Sequence, residues 1–226
     1  YEGIESAVIT INEGNVHVIS SDDGINIAGG NDASALGGRP GQNTFRYSAN
    51  NYLYVNGGYV AIDANGDGID ANGSIDMTGG VVIINGPTRN DNGALDYLGT
   101  CNVTGGLLVA VGSSGMAQAP STTSTRYSVL INLTSAQSAG TMLHIASQDG
   151  KGILTFVPTK AYQSIVFCSP ELKEGSTYLV YTGGRATGNA VDGLYSGGAY
   201  TAGTQVASLT VTGIVTGVGS SRGAFP

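Results

Sequence analysis

Hydrophobic and polar residues alternate in short stretches through the first half of the chain, and glycines separate these stretches. The alternating stretches are residues 9–12, 53–56, 75–78 and 101–104, and each is followed by a second short, mainly apolar stretch, at residues 16–19, 60–62, 81–84 and 107–110. Alternation with a period of two, in residues that are often β-branched, is typical of β-strands, and no stretch has helical spacing. We therefore predict an all-β protein.

The strands recur with a column of glycines, each followed by an apolar residue. The column consists of Gly3, Gly24, Gly68, Gly93 and Gly115, at spacings of 21, 44, 25 and 22 residues. A unit of this size cannot bury its own apolar side, whereas stacked units form a continuous core. The period predicts a parallel β-helix, a single-stranded solenoid, over residues 1–125.

Two parts of the chain depart from this period. The 44-residue interval is either two coils or one coil with an insertion, and we favour a loop insertion at residues 29–50, which are rich in Gly, Asn, Ser and Arg. From residue 126 the chain changes to longer strands, which predicts a C-terminal antiparallel β cap over residues 126–226, packed on the open end of the helix. The predicted cap strands are residues 127–133, 141–145, 153–157, 164–167, 177–181 and 206–214.

The N-terminal edge is the second open end of the predicted stack. Tyr1 lies in the middle of a repeat, and no capping segment precedes it in this sequence. Because an uncovered edge strand invites pairing, we expect either further coils before Tyr1 or self-association of this edge with another chain.

The two cysteines are Cys101 and Cys168. Cys101 falls in the column of Ile75 and Val8, which predicts a thiol that points into the core. A disulfide between the two cysteines stays open at this stage.

Composition and charge exclude two classes of partner, nucleic acids and a membrane that the chain would span. Residues 1–125 contain twelve acidic and three basic residues, a net charge of −9, and no lysine. Such a surface repels a nucleic acid backbone and attracts cations, so we predict no nucleic acid partner. The longest apolar runs, 81–84 and 106–111, are too short to span a membrane, which needs about 20 residues.

Acidic residues recur on both sides of the glycine column. They form columns in which neighbouring coils lie about 4.8 Å apart, so like charges would face each other. A divalent cation would neutralise them, and Ca²⁺, which takes six to eight oxygen ligands, is the cofactor that we predict. An alternative is that Asp and Asn merely suit these turns. The predicted metal ligands are Glu2, Glu5, Asp22, Asp23, Asn26, Asp63, Asp67, Asp70 and Asp96.

Residues 63–68 match the first six positions of an EF-hand loop, but the twelfth position falls on Ser74, where an acidic residue is needed. The EF-hand is therefore excluded, although Asp63 and Asp67 can still contribute oxygens to a site between coils.

Tyrosines on a flat β-helix face can stack on sugar rings, and an arginine can pair with a substrate carboxylate. The predicted carbohydrate-binding residues are Tyr52, Tyr54, Tyr97 and Arg89. Ordinary strand packing is the alternative for Tyr52 and Tyr54.

Several longer runs resemble a family of secreted bacterial carbohydrate-binding proteins with a right-handed parallel β-helix, related in fold to pectate-type polysaccharide lyases. These runs are residues 1–6, 9–12, 20–26, 51–58, 67–70, 77–80, 115–120, 161–167, 178–184 and 192–198. The resemblance implies a calcium-bound helix, exported to the cell exterior or cell surface, that binds plant cell-wall polysaccharide, either cellulose or polyuronate. Asp22 and Asp23 are similar to the calcium-binding Asp pair of the related lyases, but Asn26 stands where those enzymes have a third acid.

Three function classes follow. A non-catalytic polysaccharide-binding protein is the interpretation that we favour. A calcium-dependent lyase is the first alternative; it needs a base, and Arg89 is the candidate because no lysine precedes Lys151. A structural, adhesin-like stalk is the second alternative, and it predicts no saturable sugar binding.

Overall fold

The computed structural model describes residues 1–28, 46–201 and 203–219. These residues form an all-β structure of 23 strands in five sheets, most of whose pairings within the first half of the chain are parallel. The described residues contain no α-helix, and hence no helix that could cross a membrane. The greater part of the predicted insertion at 29–50 lies outside the described residues.

Twelve strands of the first half build three parallel arrays. Sheet A has the order β1-β4-β7-β10, sheet B has the order β11-β8-β5-β2, and β12-β9-β6-β3 form one end of sheet C. Each array therefore takes every third strand of the chain. The strands are β1 (Ile4–Glu5), β2 (Val8–Ile11), β3 (Asn15–Ser20), β4 (Ile25–Ile27), β5 (Tyr52–Val55), β6 (Tyr59–Ala64), β7 (Ile69–Ala71), β8 (Ser74–Met77), β9 (Val81–Asn85), β10 (Leu95–Tyr97), β11 (Cys101–Val103) and β12 (Leu107–Gly112).

The register of sheet A shows how the repeats stack. Ile4 pairs with Ile25, Ile25 with Ile69, and Ile69 with Leu95. Ile25 and Ile69 are 44 residues apart yet are direct neighbours, so the long interval is a single step of the stack. The glycine column was wrong by one residue at its fourth member, because Ala94, and not Gly93, precedes Leu95.

The register of sheet B shows which residues share a column with Cys101. Its column contains Ile75, Leu53 and Ile9, so the predicted alignment with Val8 was wrong by one residue. Alternate residues of a strand point to opposite faces, and this register places Cys101 in the core. Cys101 and Cys168 are both buried, and both are free thiols.

The second half of the chain is mostly antiparallel. Strand β16 pairs with β12 through Val109 and Phe167 and continues sheet C, so the full order of that sheet is β23-β13-β16-β12-β9-β6-β3. Sheet D has the order β19-β20-β15-β14-β17-β22, and sheet E joins β18 to β21. The strands are β13 (Ser128–Gln137), β14 (Leu143–Ser147), β15 (Gly152–Phe156), β16 (Tyr162–Cys168), β17 (Thr177–Thr182), β18 (Arg185–Ala186), β19 (Asn189–Val191), β20 (Leu194–Ser196), β21 (Tyr200–Thr201), β22 (Thr204–Thr210) and β23 (Val215–Val218).

The central strands of sheet C, β9, β12 and β16, are buried on both faces and separate two hydrophobic cores. Val82 and Ile84 pack in the core of the parallel arrays, whereas Ile83 packs with Phe167 in the core of the second half. Burial on both faces explains why β9 and β12 are continuous apolar runs and do not alternate. The two halves therefore share one sheet.

Candidate functional site

Three acidic side chains meet at sheet A. Ligand oxygens of Asp23, Asp67 and Asp70 all lie within 4.8 Å of one another. Asp70 belongs to β7, Asp67 to the turn before β7, and Asp23 to the equivalent turn before β4. Because β4 and β7 are paired, residues 44 positions apart in the sequence become neighbours. We call these three residues the aspartate cluster.

Backbone hydrogen bonds hold two of the carboxylates in place. The amide of Asp67 donates to Oδ1 of Asp23 over 2.7 Å, and the amide of Gly93 donates to Oδ1 of Asp67. A side chain at Gly66 would disturb this arrangement, since its Cβ would lie 2.3 Å from Oδ1 of Asp23 and 2.7 Å from Oδ1 of Asp22. Each acidic turn therefore supports the next one along the stack.

The carboxylates perturb one another electrostatically. Burial is the largest cause of a rise in the pKa of Asp67 from 3.8 to about 8, and the nearby charges of Asp23, Asp96 and Asp70 add to it. Burial likewise raises the pKa of Asp23 to about 6, with smaller contributions from Asp22 and Glu2. The backbone hydrogen bonds act in the opposite direction but do not compensate. Full ionisation of the cluster at neutral pH is therefore unfavourable unless a positive charge compensates it.

Two further oxygens near the cluster lack hydrogen bonds. The side chain of Asn26 is fully buried, its Nδ2 donates to Oδ2 of Asp23 over 3.3 Å, and its Oδ1 has no partner among the described residues. Oε1 of Glu2 is also buried without a partner there, and Glu2 raises the pKa of Asp23. Burying a polar atom without a hydrogen bond is costly, and each such atom calls for an explanation. A cation in the cluster would supply one.

The geometry of the cluster is compatible with a metal ion. Oxygen ligands of a hard cation such as Ca²⁺ lie about 2.3–2.6 Å from it, so two ligands of one ion are at most about 5 Å apart. The three aspartates satisfy this limit. Asn26 pairs in register with Asp70 and its amide hydrogen-bonds to Asp23, so the amide oxygen is a neutral candidate ligand.

The other predicted metal ligands on sheet A lie on strands that neighbour the cluster. Glu5, Asn26, Asp70 and Asp96 occupy one register column of sheet A. Asp96 accepts a hydrogen bond from Nε2 of Gln118 over 3.3 Å, and burial raises its pKa. Glu5 and Asp22 are exposed.

Asp63 is paired with a lysine. Nζ of Lys160 lies 2.7 Å from Oδ1 of Asp63 and donates to Oδ1 of Asn65 over 2.8 Å and to the carbonyl of Ala64. Thr159 donates to the other oxygen of Asp63. An ammonium group from the second half of the chain therefore occupies the oxygens of residues 63–65, which the EF-hand-like pattern had linked with calcium.

Tyr52 and Tyr54 form a stacked pair on sheet B. Their ring centroids are 4.3 Å apart and their planes are inclined by 12°. Leu53 and Val55 point into the core, so alternation places both tyrosines on the opposite face. The hydroxyl of Tyr52 donates to Oδ2 of Asp76 over 2.8 Å.

The tyrosine pair adjoins a row of polar side chains. Tyr54 pairs in register with Asp76, and Asp76 with Asn102. Nδ2 of Asn102 donates to Oδ1 of Asp76 over 3.1 Å, and Thr123 donates to Asn102. We call Tyr52, Tyr54, Asp76 and Asn102 the tyrosine face.

The other two predicted carbohydrate-binding residues have different surroundings. Tyr97 packs against the core and its hydroxyl donates to the carbonyl of Ala119 over 2.6 Å. Arg89 is exposed and forms an ion pair with Asp91. In the part of the chain that the structure describes, no hydrogen bond or ring contact joins either residue to the tyrosine pair.

Three polar residues of these sites, Asp76, Asn102 and Lys160, were not predicted from the sequence. Asp76 and Asn102 occupy equivalent positions within the alternating stretches 75–78 and 101–104, and that signal could have placed them beside Tyr54. Lys160 lies 97 residues beyond Asp63 and had no comparable signal.

A comparison of this chain with known protein families, with curated proteins and with solved structures finds no match.

Proposed function

We propose that this protein is a non-catalytic, calcium-bound polysaccharide-binding protein of the bacterial cell exterior, built on a right-handed parallel β-helix with an antiparallel cap. The sheet order supports the helix, since strands three apart in sequence pair in parallel in all three arrays. Repeated parallel pairing at this interval is what successive three-stranded coils would produce.

Calcium is the cation that we assign to the aspartate cluster. The observation that carries this assignment is the convergence of Asp23, Asp67 and Asp70 beside the unpartnered Oδ1 of buried Asn26. All of these ligand atoms are oxygens, which hard cations prefer, and flexible coordination suits Ca²⁺ better than Mg²⁺, which demands a near-ideal octahedron. The ion would join two neighbouring strands and neutralise the cluster.

The tyrosine face is the surface that we assign to polysaccharide binding. An aromatic pair offers an apolar platform, and the adjacent carboxylate and amide groups can hydrogen-bond to sugar hydroxyls. The stacked Tyr52 and Tyr54 beside Asp76 and Asn102 carry this assignment. Cellulose and an acidic polysaccharide such as polygalacturonate are the two polymer classes to compare, and Asp76 favours the neutral glucan.

Affinity electrophoresis tests the proposal. The protein is run through native gels that contain soluble β-glucan or polygalacturonate, with calcium or with chelator, and the gel is then stained for intact polymer. We expect retardation without polymer loss, and a several-fold weaker retardation for Tyr54→Ala. Tyr1→Ala is the control, since Tyr1 is 73% exposed and lies outside the tyrosine face.

Two results would contradict the proposal. Equal mobility in all gels would remove the binding function and favour the structural stalk. A cleared zone in the polymer stain would identify a lyase.

A further inference from the structure

The second half of the chain contains a cavity of about 470 Å³. It lies between strands β14 and β15 on one side and the segment from β20 to β21 on the other, and its size is within the range of small-molecule sites, roughly 300–1,000 Å³. We call it the His144 cavity. Its lining includes Leu107, His144, Thr155, Ala186, Tyr195 and Tyr200.

Contacts with sheet C hold one wall of the cavity in place. The β19–β20 hairpin turns at Asp192, whose Oδ2 lies 2.8 Å from Nε2 of His17 on β3. The hydroxyl of Tyr59 on β6 donates to the carbonyl of Val191 over 3.1 Å. The hairpin is therefore anchored at its turn, while Leu194 and Tyr195 beyond the turn line the cavity.

The aromatic side chains of His144 and Tyr200 line the cavity. Tyr200 stacks on His144 with ring centroids 3.8 Å apart and planes inclined by 13°. The hydroxyl of Tyr200 donates to the carbonyl of Gly183 and accepts from the amide of Gly203, so the ring is fixed. Nδ1 of His144 lies 2.8 Å from Oγ1 of Thr155, which orients the imidazole. A preformed aromatic surface binds a ligand with little loss of conformational entropy.

The polarity of the lining indicates an uncharged ligand. Among the described residues, no Asp, Glu, Lys or Arg lines the cavity. Burial lowers the pKa of His144, so its imidazole is neutral at neutral pH. The phenol of Tyr195 lines the cavity and has no hydrogen-bond partner among the described residues, so it is available to a ligand.

We propose that the His144 cavity is a second binding site, separate from the tyrosine face, for a neutral ring compound rich in hydroxyl groups and of the size of a mono- or disaccharide. The ring packs on the His144–Tyr200 stack, and Tyr195 hydrogen-bonds to a hydroxyl group. The absence of charged groups from the described lining discriminates against uronates, because a carboxylate would lose its hydration without gaining a cationic partner.

Ligand-observed and protein-observed NMR titrations with cellobiose and with glucuronate test this site. We expect cellobiose to bind and glucuronate not to compete. Ala186→Leu places a larger side chain in the cavity and should weaken cellobiose binding at least tenfold, and Tyr195→Phe should weaken it several-fold. Ala190→Leu is the matched control, because Ala190 is exposed on β19 and does not line the cavity.

Tyr54→Ala separates this proposal from the function assigned to the tyrosine face. Cellobiose binding that survives Tyr54→Ala and is lost in Ala186→Leu supports the cavity, whatever happens to polymer retardation. Equal affinity of folded Ala186→Leu and Ala190→Leu overturns it, as does a loss of binding in Tyr54→Ala alone. Absence of cellobiose binding at millimolar concentration, or equal binding of glucuronate, also overturns it.

Discussion

Asp23 accepts a hydrogen bond from the backbone amide of Asp67, which lies 44 residues further along the chain, over 2.7 Å. The bond joins two acidic turns whose carboxylates would otherwise only repel each other. Asp67 repeats the contact by accepting from the amide of Gly93. Asp23 and Asp67 each use one carboxylate oxygen in a backbone hydrogen bond. We therefore expect protonation of the cluster, or binding of a cation to it, to affect how the turns pack against each other.

Stability in the absence of metal should fall as the pH rises. Burial raises the pKa of Asp67 to about 8 and that of Asp23 to about 6, both above 3.8, so the folded state binds protons more tightly than the unfolded state. The stabilisation is complete below about pH 4 and is lost as the pH rises towards 8. Thermal unfolding in chelator at pH 5, 6.5 and 8 measures this, with Asp67→Asn as the comparison. A melting temperature that rises across this window would contradict the assignment.

Calcium should stabilise the native protein but not the Asp67→Asn variant. The Asn side chain keeps an oxygen that can accept from Gly93 but removes a charge from the cluster. At a calcium concentration of about 100 Kd, binding to the native state adds about 2.7 kcal/mol to the free energy of unfolding. Asp91→Asn, an exposed acid outside the cluster, should retain the full effect.

The measurement is thermal unfolding of both variants in chelator and in calcium at pH 7.5. In chelator, Asp67→Asn should be at least as stable as the unsubstituted protein, because burial of Asp67 at pH 7.5 requires either a buried charge or the uptake of a proton, and a neutral Asn side chain avoids both costs. An equal calcium effect in both variants would place the ion elsewhere.

Replacement of Lys160 by Met should destabilise the fold without altering the calcium effect. Lys160 connects the second half of the chain to Asp63, Ala64 and Asn65, and its side chain is only 17% exposed. Loss of these charged hydrogen bonds should cost about 1–3 kcal/mol. Urea unfolding measures the loss. Lys151→Met, which breaks an exposed pair with Glu171, is the matched control and should cost less.

Urea unfolding of Lys160→Met and of the unsubstituted protein, each with calcium and with chelator, decides the role of Asp63. If calcium stabilises Lys160→Met more than the unsubstituted protein, the ammonium and the ion compete for the oxygens of residues 63–65. An unchanged calcium effect confines the ion to the aspartate cluster.

Gly66→Ala should impair both stability and the calcium effect. The new Cβ would lie 2.3 Å from Oδ1 of Asp23, so this carboxylate must move away from the amide of Asp67. Overpacking of this kind costs about 1–3 kcal/mol. Gly213→Ala is the control, because a Cβ there has no described atom within 4 Å. Equal melting temperatures of the two variants, with and without calcium, would contradict this account.

Several features of the fold and site followed from sequence alone. Alternation of apolar and polar residues predicted the strands of sheet B, where only one face is buried, including Leu53 and Val55 beside Tyr54. The acidic turns before β4 and β7 were recognised because each precedes a Gly-Ile pair, at Gly24 and Gly68. Register then followed for Asn26 and Asp70, since a repeat fixes which residues are equivalent.

Contacts that cross from one half of the chain to the other could not be predicted in this way. The pairing of β12 with β16, the contact of Lys160 with Asp63 and the anchoring of Asp192 by His17 join residues without a common repeat. The short polar strands β18 to β21 also lack a periodic pattern, yet they form a wall of the His144 cavity.

The sequence by itself determined the all-β class, the strand period and the clustering of acids in turns, because these depend on the local alternation and spacing of residue types. Tertiary structure alone decided which acids converge, since the separation of Asp23, Asp67 and Asp70 depends on strand register to within a single residue. It also decided that Asp63 pairs with an ammonium group, because that partner comes from the second half of the chain. Burial then set the proton affinity of Asp67, and burial is a property of the packed chain.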